Sequence, residues 1–146
     1  MAMAKGEMPV STFEYAAKVV CGEIDERGGP LAPGVYATEV NIHNPADRPA
    51  EVRKSLALTF PPGDQREGET RQLEEPHTLA SHKAFAVDCR YLRDRLSIAD
   101  PFFIGFLIIE STLSVDVTAV YTTGGLEGST APGIAVEQIR ERTAIT

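Results

Sequence analysis

The sequence predicts an all-β protein: an antiparallel β-sandwich of about seven to eight strands with one short helix. Three observations carry this reading. Short apolar runs alternate with a period of two, as strands with one dry face do. Clusters of Gly, Pro, Asn and Asp recur between those runs as turn signals. The strand–helix alternation of an α/β fold is missing. The richest run is Phe102–Tyr121, FFIGFLIIESTLSVDVTAVY. Leu113, Val115, Val117, Ala119 and Tyr121 share one face of its second half, and Ser114, Asp116 and Thr118 the other. Its first half, Phe103–Ile109, is apolar on both faces, as in a central strand covered on each side. Glu110-Ser111-Thr112 reads as the tight turn of a hairpin joining the halves.

In chain order, residues 1–12 read as a flexible lead, 13–139 as the sandwich domain and 140–146 as a tail. Phe13–Cys21 sets Phe13, Tyr15, Ala17, Val19 and Cys21 on one face, and Gly22 ends that strand. EIDERGGPLAPG, 23–34, is a loop. Val35–His43 turns Tyr36, Thr38, Val40 and Ile42 inward. Asn44-Pro45-Ala46-Asp47-Arg48-Pro49 supplies turn chemistry, since Asn and Asp accept local backbone bonds and proline fixes φ. Ala50–Phe60 follows, completing a hairpin with Val35–His43; Lys54 falls on its apolar side, which places that end at the rim of the core.

Pro61-Pro62-Gly63 stops the third strand, and the charged stretch 64–76 reads as a solvated excursion or edge strand. Lys83–Cys89 is a short strand with Phe85, Val87 and Cys89 inward. Asp88 is the N-cap of a brief helix, Arg90–Ser97, with Leu92 and Leu96 at i, i+4. After the long apolar run comes the loop TTGGLEGSTAPG, and Ile134–Ile139 reads as a last strand, favoured over a helix across VEQIRERTA.

Composition excludes several roles. The 146 residues fit one domain able to bury its own core. A formal net charge of −7 disfavours nucleic acid and anionic membranes, both of which ask for clustered Lys and Arg. No run reaches the roughly 20 apolar residues of a membrane span. The first residues lack the apolar middle of a signal peptide, so the chain reads as cytoplasmic or as having lost a leader.

The chemistry-bearing residues are few. Cys21 and Cys89 both share parity with large apolar neighbours and leave two readings open. They are free buried thiols acting as small hydrophobes, or one disulfide pinning two sheets together and worth about 4 kcal/mol. His43, His77 and His82 are the three histidines and so the candidate metal ligands. They have neither helical i, i+4 spacing nor an accompanying CxxC, which favours turn and surface roles. Glu39, Asn41 and His43 share one face of the second strand, a candidate polar ligand or interface face. Ser111 lies in no nucleophile elbow, and Gly28-Gly29 and Gly124-Gly125 form no phosphate loop. No catalytic residue and no cofactor is expected, and the chain reads as a non-enzyme.

Three stretches carry a resemblance: AKVVCG (17–22), PGVYATEVNIHNP (33–45) and LIIESTLSVDVTAVYT (107–122). On these the chain resembles a group of small bacterial proteins of unknown function. The resemblance implies a secreted or envelope-associated β-sandwich and supplies no catalytic residues. In layout the chain is also similar to the sensory rhodopsin transducer proteins, small oligomeric β-sandwiches. The residues themselves point the same way: Phe103–Ile109 is apolar on both faces, and Ala16, Val20 and Val120 add apolar surface to second faces. Surplus apolar surface is usually covered by a partner chain, so a homo-oligomer acting as a structural or interaction module is expected. The alternative is a sandwich that binds a small ligand or metal.

Overall fold

The alternation of Phe13–Ile24 drives Tyr15, Ala17, Val19 and Cys21 inward, and this strand, β1, is the spine of the sheet. The structure, a computed structural model, describes residues 13–27, 29–73, 76–126 and 133–143. The expected lead at 1–12, Gly28 and the end of the tail lie outside them. After β1 come β2 (Gly34–His43), β3 (Ala50–Leu58), β4 (Thr70–Gln72), β5 (His77–Leu79) and β6 (Ala84–Asp88). Helix α1 (Cys89–Leu96) precedes β7 (Phe102–Ser111), β8 (Asp116–Gly124), β9 (Gly133–Gln138) and β10 (Arg142–Thr143). Every pairing is antiparallel, and the fold is all-β with one short helix. The order is β4-β3-β7-β1-β2-β8-β9, with β5 also on β3, β6 on β2 and β10 on β1.

A fork in this sheet organises the molecule. β1 pairs with β7 over all but its last two residues, from Phe13↔Ser111 to Gly22↔Phe102. On its other edge only the ends are paired, Phe13–Glu14 with β10 and Gly22–Ile24 with β2. β2 then leaves β1 and pairs with β6 from Glu39 to His43, while β8 holds its opposite edge throughout. The sheet therefore parts into two wings, β3–β7–β1 and β6–β2–β8–β9. Thr38 sits at the parting. Its hydroxyl accepts from Val20 N at 2.9 Å and donates to Val20 O at 3.1 Å, satisfying β1 where the ladder stops. Cys21 and Cys89 are joined in a disulfide that ties β1 to the start of α1 at the same point. Of the two cysteine readings, the structure has the disulfide.

Gly22 does not end β1, as the sequence reading expects; the strand continues to Ile24. The reason is local. Gly22 is paired on both edges, to Tyr36 and to Phe102, at φ +113°, a conformation L side chains rarely adopt. It bends β1 without breaking it.

The inward residues of both wings meet in one buried cluster, with Tyr15, Val19, Leu56, Leu107 and Ile109 from one wing and Val40, Ile42, Val87 and Val117 from the other. The strand faces therefore follow the alternation, but the expected neighbours do not. β7 pairs with β1 and β3, and β8 with β2 and β9, so Phe102–Tyr121 is not a hairpin. Nor do β2 and β3 pair with each other. Both short connections cross from one wing to the other.

The local signals hold. Tyr91 N donates to the Asp88 carboxylate at 2.8 Å, which caps α1, and Leu92 is buried. Asn44 is fully buried and fastens its turn: its amide donates to the carbonyls of Arg48 (2.9 Å) and Leu79 (3.0 Å), and its oxygen accepts from Ala46 N. Lys54 is a correction. It is 3% exposed rather than at the rim, with its ammonium 4.6 Å from the Phe85 ring centroid and 5.3 Å from that of Tyr91.

Candidate functional site

Strand pairing puts Glu39, Asn41 and His43 in one row on the outer face of β2, where the period-two reading places them. Asn41 donates to Glu39 at 3.0 Å, and His43 Nδ1 lies 3.0 Å from Asp116, its cross-strand partner on β8. These are exposed contacts on an open sheet face, where an ion pair is worth at most about 1 kcal/mol. The histidines occupy separate settings. His77 packs edge-on against Phe85, with ring centroids 4.8 Å apart, and His82 is an exposed turn residue at φ 59°. Among the described residues no three His, Cys, Asp or Glu side chains are grouped to hold a metal. Ser111 is buried, and its hydroxyl accepts from Leu113 N at 3.3 Å as a turn contact.

One polar constellation was not legible in the sequence. Tyr15, buried on β1, donates its hydroxyl to Glu141 at 2.7 Å and accepts from Val115 N at 2.8 Å, while Ser114 also bonds Glu141. The group latches the start of β8 and the approach to β10 onto β1. Burial, then the bond to Glu141, pushes the Tyr15 phenol up to about 12; the Ser114 and Tyr15 hydroxyls hold the Glu141 carboxyl below its ordinary range. Both shifts favour the neutral phenol and the ionised carboxylate, the forms that hold the Tyr15–Glu141 bond. A phenol raised in the folded state stabilises the fold below its ordinary pKa near 10, and that stability is lost as pH climbs towards 12. An ultraviolet titration of phenolate is expected to show Tyr15 ionising together with loss of β-structure. A fully reversible titration near 10 for all four tyrosines, with circular dichroism unchanged, would contradict the latch.

The broadest chemical feature is apolar. Across the outer face of the β3–β7–β1 wing the register sets Val20 beside Ile104, Phe106 beside Ala57, and Ala16 beside Ile108. Phe106 is 40% exposed and the other five are partly so. Glu14, Glu110 and Arg53 form a charged row at one end, and Lys18 lies over the Phe106 ring. At the opposite end a groove of about 790 Å³ opens between the 59–62 turn and the 97–101 connection, walled by Leu58, Phe60, Phe102 and Ile104 with Lys18 and Arg71 on its border. Glu39, Asn41 and His43 do not line it.

The chain shares a likeness of fold with a solved structure. The crystal structure of Thermotoga maritima 1070 aligns with 91% of this chain and 96% of its own, at a TM-score of 0.52 and 12% identity. No family model matches the sequence, and no curated protein does. No residue role therefore comes to the chain from a relative.

Proposed function

We propose that the protein is a non-enzymatic, homo-oligomeric β-sandwich, its two wings forming the layers, that works as a structural or interaction module through its sheet surface. The observation that carries this is the outer face of β7. Ile104, Phe106 and Ile108 line it at the centre of a wing, with Val20, Ala16 and Ala57 beside them; Phe106 is 40% exposed and the others partly so. A sandwich layer needs one dry face. A second apolar face of this kind, rimmed by charge, marks a protein contact surface. A copy of the same chain fits, since a two-fold contact asks the patch only to be complementary to itself. The Cys21–Cys89 disulfide supports an oxidising compartment for the chain.

Phe106→Glu is the direct test. The side chain packs in no described core position, so circular dichroism should be unchanged while the sedimentation mass at a given micromolar concentration falls. An unchanged mass would remove this surface from the account. A second reading, a small-ligand module, is favoured by the groove alone, whose size and apolar walls suit a small molecule. A saturable rise of the thermal transition with a metal or sugar panel, in protein that sediments as a single chain, would favour it over the first.

A further inference from the structure

β9 is the terminal strand of the sheet, paired on one edge with β8. Ile139 N donates to Val117 O at 2.9 Å, and these two residues continue the register Thr118↔Gln138. Hydrogen-bonded pairs recur at every second residue of an antiparallel ladder. Glu137, Ala135 and Gly133 therefore turn their backbone groups towards β8. Ile134, Val136 and Gln138 turn theirs outward, where no strand among the described residues meets them. All six residues of β9 are exposed, and Ile134 (72%) and Val136 (67%) are the most exposed large apolar side chains described. Natural edge strands are guarded by lysine, proline or a bulge. Gly133–Gln138 has no lysine and no proline, pairs with β8 without a bulge, and in a chain of net charge −7 carries the single charge of Glu137.

We infer that this edge pairs with the β9 edge of a second copy, antiparallel about a two-fold axis at Ala135, so that one sheet runs through both chains. A free row of N–H and C=O groups is complementary to an extended strand and to little else. The sequence then favours its own copy. With Ala135 on the axis, Ile134 lies opposite Val136 of the second copy, and Val136 opposite Ile134 of the second copy. Each of these pairs exchanges two backbone bonds, and all four apolar side chains gather on the outer face. Glu137 falls opposite Gly133 of the second copy, so no carboxylate faces another. Moving the axis to Val136 would instead set Ile134 against Gln138. A six-residue edge buries less than the ~800 Å² per partner of a standard stable interface, so the pairing is concentration-dependent.

This contact uses a different surface from the β3–β7–β1 face, and either can fail alone. It is tested in the Phe106→Glu chain as well as in the unaltered protein, by sedimentation over a wide concentration range. Val136→Lys replaces an exposed side chain, leaves the fold in place, and should move association to about tenfold higher concentration or beyond, as an edge lysine does. Ala135→Cys should give a covalent dimer on mild oxidation in preference to Val136→Cys, since the two native cysteines are already bonded to each other. A Val136→Lys curve that overlays that of its parent, or an Ala135→Cys chain that does not cross-link, would overturn the inference. If β9 pairing persists while Phe106→Glu changes nothing, the sheet-face reading fails and this one stands.

Discussion

Gly22→Ala is expected to be among the most damaging single-methyl additions the chain can suffer. A Cβ built at Gly22 lies 1.9 Å from the carbonyl oxygen of Pro101 and 2.9 Å from Phe102 Cα, both backbone atoms, so no side chain can swing aside. Relief requires β1 and β7 to separate by more than 1 Å where the wings part. The left-handed conformation costs an alanine about 1–2 kcal/mol, and overpacking adds about 1–3 kcal/mol. A loss of about 2–5 kcal/mol follows, a large share of the roughly 5–15 kcal/mol that hold a domain of this size. Urea denaturation reads it directly. A midpoint within error of the unaltered protein would show that the strands at Gly22 are not held as described.

Removing the disulfide should have an effect of similar size by a different route. Cys21 and Cys89 are 68 residues apart, and closing a loop of that length in the unfolded chain is worth about 4 kcal/mol. The paired change Cys21→Ala with Cys89→Ala avoids leaving a free thiol. It also takes away the Cys89 sulfur that accepts from Thr38 N at 3.2 Å, at the residue that closes the fork. The variant should unfold at markedly lower denaturant, and a reducing agent should lower the unaltered protein to about the same point while leaving the variant where it is. A thiol titration of the native chain should find no free thiol. Finding two, with equal stability before and after reduction, would contradict the staple.

Much of this was legible in the sequence, and the part that was not has a common cause. Alternation reports which side of a strand is dry, so the inward faces of β1, β2 and β8 follow from it, as do the Asp88 cap and the Asn44 turn from their own local chemistry. It does not report which strand lies alongside. Phe103–Ile109 reads as the arm of a hairpin with Leu113–Tyr121, yet its two neighbours are β1, whose pairing begins 98 positions away at Phe13↔Ser111, and β3. Gly22 reads as a terminator because glycine more often ends a strand than bends one between two neighbours. Lys54 reads as a rim residue because burying its ammonium depends on Phe85 and Tyr91, which sit on other elements. Tyr15 and Glu141 stand 126 residues apart, and no spacing rule reaches that far. Glu39, Asn41 and His43 share one side of β2 as alternation requires, but the His43–Asp116 contact comes from register alone.

The central claim is that the uncovered apolar surface of the β3–β7–β1 wing is covered by another copy of the chain. Sedimentation of the unaltered, oxidised protein at micromolar concentration tests it most directly. The account predicts a mass of two or more chains, and a lower mass at the same concentration in Phe106→Glu with the fold intact. A single chain of 15.8 kDa at every concentration would contradict it.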